Sequence, residues 1–217
     1  MFAMILRTQW SWTRAAVGGI SLLALFFPAL AWRIFASSQS DAAVMQVMYG
    51  FSSLGPMLSS LAMIGPFVLA ALPWTIDHEA KHVYALSLPV TWARFVWMRF
   101  AAGAMTLVFP AVALYVGCRA VVAMIELPPL LRAYPAALSL RFLLACLVAY
   151  GITFALQYLA GRRAAMVVLV SLLGAGVVGV VLAMLGLGDA VTAFGNFMFD
   201  WPGPFSIFVE PWTLIDV

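Results

Sequence analysis

The residues with the most recognisable chemistry are His78, Glu79 and His82, in the run His78-Glu79-Ala80-Lys81-His82. On a helix this H-E-x-x-H spacing puts two imidazoles one turn apart on a single face. It also sets a glutamate where it can activate a metal-bound water. A catalytic zinc takes a third protein ligand, yet the chain has only these 2 histidines. The nearest downstream acid, Glu126, is expected at the opposite membrane face. No metal site is therefore expected, and an intramembrane zinc hydrolase stands as the alternative to a non-enzymatic reading. Cys118 and Cys146 have no metal or redox spacing and read as buried thiols.

The elements that must carry these residues are set by composition. Of 217 residues, 65% are apolar and 9% charged, against about 25% charged in a soluble domain. Such a chain cannot cover a water-soluble surface, so it is expected to be an all-α integral membrane protein. At about 20 apolar residues per span, at most six or seven spans fit, with no room for a catalytic domain of normal size outside the bilayer, and five to six are expected. Residues 1–14, with Trp10, Trp12, Arg7 and Arg14, read as an interfacial elbow helix. Spans are expected over 15–35, 51–76, 100–122, 136–160 and 164–187. Residues 77–99 form a charged cytoplasmic loop. Residues 188–217 form an outer segment, either a re-entrant pair of half-helices, an incomplete sixth span or a loop packed on the surface. The breaker Trp201-Pro202-Gly203-Pro204 interrupts it. With the N-terminus cytoplasmic, 7 basic residues fall inside (Arg7, Arg14, Lys81, Arg94, Arg99, Arg162, Arg163) and 4 outside (Arg33, Arg119, Arg132, Arg141). The positive-inside rule supports that orientation. The formal charge of +3 comes from scattered residues near span ends, which fits lipid-headgroup anchoring rather than nucleic acid.

The stretch from Thr75 to Phe100 resembles the loop between the second and third spans of ABC type-2 permeases, the membrane subunits of ATP-driven exporters. Glu79 matches the family's acidic position on a short cytoplasmic helix. Leu86-Ser87-Leu88-Pro89-Val90-Thr91 matches the turn that follows, and Arg94 and Arg99 match the basic residues that open the third span. The family often has Gly-Thr after the acid, where this chain has Ala80-Lys81. The resemblance implies an exporter permease that moves a substrate with ATP hydrolysed by a separate subunit. It implies a coupling helix seated in a groove of that subunit, carried by Asp77, His78, Glu79, Lys81, His82, Leu86, Leu88 and Pro89. Implied partners are ABC ATP-binding subunits, a second permease copy or homologue, and membrane lipids. No cofactor is expected on this chain, with ATP and Mg on the partner ATPase; no G-x-x-x-x-G-K-[ST] loop is present. The expected location is a bacterial cytoplasmic (inner) membrane. A haem-exporter-like permease of cytochrome c maturation is a subordinate reading, and a non-transporting scaffold another.

Three further groups stand out. Tyr150, Thr153 and Gln157 recur at helical spacing and form a candidate translocation path, or else bond between helices. Gly55-Pro56 and Gly65-Pro66 are a candidate hinge, or a fixed kink. Gly174 and Gly179 let helices approach closely, within the chain or between subunits. Arg119 and Arg141 flank the outer loop, where each is expected to snorkel or to meet an anionic substrate headgroup.

Overall fold

The computed structural model describes residues 2–35, 55–79, 90–124, 132–160, 163, 174, 178, 181–182, 184, 188–200, 202–203, 205–209, 212 and 214–216. The long elements are α1 (Phe2–Phe35), α2 (Gly55–Glu79), α3 (Trp92–Thr106), α4 (Val108–Met124) and α5 (Pro135–Ala160). After them come α6 (Gly188–Phe199), the one-turn α7 (Ser206–Val209), and a two-residue ladder of β1 (Arg132–Ala133) with β2 (Ile215–Asp216). Among the described residues 4 helical stretches are long and apolar enough to cross a membrane: Phe2–Leu30, Met57–Asp77, Trp92–Met124 and Pro135–Leu159. The chain is an all-α membrane protein. The fifth expected span, 164–187, lies largely outside the described residues.

Three boundaries differ from the sequence expectation. Residues 1–14 do not form a separate elbow; from Phe2 onward they continue the first span as one helix of 34 residues. Ala15-Ala16-Val17 follows Arg14 with no residue that would break the backbone ladder. The second span runs on to Glu79 with Pro66 and Pro73 inside it. The third begins at Trp92, so Arg94 and Arg99 lie on a helix rather than in a loop. It is interrupted at Leu107, whose N–H donates to the Ala104 carbonyl at 3.2 Å. The cause is Pro110, which has no N–H for the Thr106 carbonyl and whose ring crowds that position.

The rings of Trp10 and Phe109 lie 5.0 Å apart, while farther along both helices Gly117 faces Leu25. Helices α1 and α4 therefore run in the same direction. Trp74 of α2 stacks on Phe154 of α5 at 5.6 Å, and near the start of both helices Gly55 and Phe142 share Trp212. These two helices run together in the opposite direction to α1. In lipid, apolar side chains gain nothing by leaving the solvent, so helices associate by close packing and polar contacts. The seams show it: Ala24, Ala62, Ala102 and Ala145 are fully buried. A Cβ on Gly117 would overlap the Leu25 carbonyl. Large apolar residues such as Leu23, Phe26, Ile64 and Val112 face outward, as a lipid-exposed surface requires.

At the end where α2 and α5 begin, the C-terminal segment closes the bundle. The Arg141 guanidinium donates to the Ile207 carbonyl at 3.1 and 3.3 Å and lies 5.0 Å from the Trp212 ring. Ser59 donates to the Phe208 carbonyl at 2.8 Å, and Trp212 and Leu214 are buried. The Tyr134 N–H donates to Leu214 at 2.8 Å, beside the β1–β2 ladder. Helix α6 stops at Phe199, and the following turn carries the Phe205 N–H back to the Met198 carbonyl at 3.0 Å. The described part of the outer segment is the helix Gly188–Phe199 followed by a chain reversal that packs into the bundle end. Arg141, expected to snorkel, instead turns inward to this cap; Arg119 is exposed.

Candidate functional site

At the opposite end, α1, α2, α3 and α5 bring together a buried polar cluster. Asp77 sits near the C-terminus of α2, and Arg99 lies on the second turn of α3. Their side chains form an ion pair of 2.6 Å with 1% and 3% exposure. An ionised group at this depth is costly unless it is paired and hydrogen-bonded. The Arg99 guanidinium also lies 4.3 Å from the Trp74 ring and 5.7 Å from that of Phe95. These rings give the cation a second attraction and shield the pair.

Gln9 of α1 completes the cluster. Oriented to satisfy both neighbours, its amide donates to the Arg99 carbonyl at 3.2 Å and accepts from the Gly103 N–H at 3.3 Å. The Tyr150 hydroxyl of α5 reaches the same point beside Gly103 as the Gln9 amide, and its ring packs against Phe100 and Phe154 at 5.5 and 5.8 Å. Gly103 makes this convergence fit, because a Cβ there would overlap both the Tyr150 hydroxyl and the Gln9 amide. One glycine, one amide and one phenol thus fasten three helices around the guanidinium.

The structure distributes the sequence-predicted residues unevenly. Asp77, expected at a surface facing a partner, is buried because Arg99 draws its carboxylate inward. His78 and Glu79 are the last residues of α2, and their side chains lie outside the description. Lys81, His82, Leu86, Leu88 and Pro89 lie outside the described residues. Among the described residues no group of three metal-binding side chains occurs. Tyr150, Thr153 and Gln157 are all buried. Tyr150 joins the cluster, while Thr153 bonds back to the Ala149 carbonyl at 2.8 Å, within its own helix.

The candidate hinge is part of one continuous helix. Gly55 packs on Trp212 at 3.4 Å from its Cβ position and Gly65 on Ile20 at 3.3 Å. Pro66 is buried, and Pro56 lies in the first turn of α2. Gly174 is exposed with open space around it; Gly179 lies outside the described residues. Sequence reasoning missed Gln9 and Trp74. The available signal was an acid and a base of opposite sign at the facing ends of two consecutive spans, which apolar surroundings force to pair. No family model matches the chain, and no curated protein and no solved structure matches it either.

Proposed function

We propose that this chain is a permease subunit of an ABC type-2 exporter in a bacterial inner membrane, with its N-terminus cytoplasmic. It works as a pair with a second copy or homologue, and separate ATP-binding subunits bind Mg-ATP and hydrolyse it. The observation that carries the reading is the Asp77–Arg99 pair. Residues 80–91 join α2 to α3, and the pair clamps those two helices together beside that connection. A push on the connection is thereby delivered to both helices at once. Coupling requires such stiffness, because a partner shifts a conformational equilibrium only through contacts that differ between the two states. Glu79, Lys81 and Arg94 supply charges for a soluble partner, and Leu86, Leu88 and Pro89 supply apolar anchorage to the bilayer face.

Purification of the intact chain from its native membrane is expected to bring an ATP-binding-cassette ATPase with it. Glu79→Arg is expected to lower both the amount of ATPase retained and ATP-driven transport, with the unfolding midpoint of the permease unchanged. Unchanged partner binding and transport in that variant would refute the reading. So would labelling of residues 77–99 by a membrane-impermeant reagent applied from the outer face.

A further inference from the structure

A groove with a volume of about 540 Å³ opens on the membrane-facing side of the bundle, between the first turns of α1 and the α3–α4 junction. This lies within the range of ligand-binding cavities, about 300–1,000 Å³. Leu6, Trp10, Val108 and Phe109 form its apolar walls, and Arg7 is its cation. Thr106 also lines it, with its hydroxyl committed to the Gly103 carbonyl at 2.7 Å. Trp10 is 38% exposed, Val108 46% and Phe109 53%, so the walls face the lipid rather than the bundle.

The groove's depth follows from helix length. At 1.5 Å per residue, the 34 residues of α1 extend about 51 Å, against a hydrocarbon core of about 30 Å. One end must therefore emerge into the headgroup layer. Trp10, Trp92 and Trp97 are all exposed around the end where α1 begins, which is where an interfacial aromatic belt belongs. Arg7 lies one turn outward of Trp10, at phosphate depth. It is exposed, and among the described residues no acid lines the groove beside it.

We propose that this groove is a binding site for an anionic phospholipid. The phosphate pairs with Arg7, and an acyl chain lies along Leu6, Trp10, Val108 and Phe109. Charge complementarity selects this occupant. A zwitterionic lipid brings an ammonium with no acid among the described lining residues to meet it, and a second copy docked groove to groove brings Arg7 against Arg7. The proposal requires no ATPase and does not depend on the exporter reading.

Native mass spectrometry of the full chain tests it, after equilibration in detergent with equal amounts of phosphatidylglycerol and phosphatidylcholine. The chain is expected to retain phosphatidylglycerol preferentially. Arg7→Gln should reduce that preference about fivefold, the effect of one basic residue near an anionic surface. Val108→Trp, which fills the groove, should lower retention of both lipids. Equal retention of the two lipids by the unaltered chain overturns the proposal, as does a preference that survives both substitutions. A change of oligomeric state in either variant with lipid retention unaltered also overturns it and assigns the groove to a second copy.

Discussion

Replacing Arg99 by methionine, Asp77 by asparagine, and then both together measures how the buried pair holds α2 to α3. Each side chain is at most 3% exposed and the ions lie 2.6 Å apart. Removing either partner therefore strands a charge in an apolar interior. That loss is worth about 3–5 kcal/mol in comparable buried pairs. Removing both removes the stranded charge as well, so most of the penalty should be recovered. Recovery is incomplete, because Arg99 also lies 4.3 Å over Trp74, an attraction of about 0.5–2 kcal/mol. The double variant is expected to fall about 1–2 kcal/mol below the unaltered chain, less destabilised than either single variant. Reversible unfolding in mixed micelles, followed by tryptophan fluorescence, gives the three values. A double variant that loses the sum of the two single losses would refute the coupling. Exchanging the residues, Asp77→Arg with Arg99→Asp, should fail to restore stability, since a carboxylate over the faces of Trp74 and Phe95 is repelled where a guanidinium is attracted.

Two further substitutions probe the packing around this pair and at the far end. Gly103→Ala should cost about 1–3 kcal/mol by overpacking, read by the same unfolding assay, and Tyr150→Phe should relieve part of it because the methyl group meets the tyrosine hydroxyl first. Trp212→Ala should cost about 3–5 kcal/mol and loosen the cap. Faster trypsin cleavage at Arg132, which is exposed and held in β1, reports the loosening, and an unchanged cleavage rate would remove Trp212 as the cap's anchor.

The membrane class of the chain is legible in its composition, because too few charges exist to cover a soluble surface. Helix α5 is legible too. Pro135 pre-forms its first turn, and the expected 136–160 differs from the observed start by one residue. The end of α6 is visible in the Trp201-Pro202-Gly203-Pro204 breaker. The start of α3 is not. Arg94 and Arg99 look alike in sequence, yet Arg94 is exposed and Arg99 buried. What separates them is Asp77, 22 positions earlier, which cancels one charge and not the other. Arg141 is misread for the same reason: its acceptor, the Ile207 carbonyl, lies 66 residues away. Apolar periodicity reports how one helix meets its surroundings, whereas a buried polar contact depends on two distant segments meeting. The candidate site is of the second kind, so Asp77, Arg99 and Tyr150 were individually visible, while Gln9, Trp74 and the association of the group were not.

The positions of the polar contacts give α2 a mechanical character. Between the two bundle ends, α2 meets its neighbours through Leu58, Ala62, Gly65, Leu69 and Ala70, all buried. At the far end Ser59 and Gly55 hold α2 to the C-terminal cap. At the near end Asp77 holds it to α3, and Trp74 holds it to α5. Two helices fastened beside the connection that joins them share any displacement applied there, because separating them would expose an unpaired charge. For the proposed coupling role, a displacement at 80–91 would thus move the near ends of α2 and α3 as a unit. The cap at Trp212 would serve as the fixed point. Weakening the clamp should reduce transmitted motion even when the partner still binds, so Asp77→Asn is expected to separate ATPase retention from transport, whereas Glu79→Arg lowers both. Loss of retention in Asp77→Asn, with the fold intact, would place Asp77 at the partner surface and contradict its inward orientation.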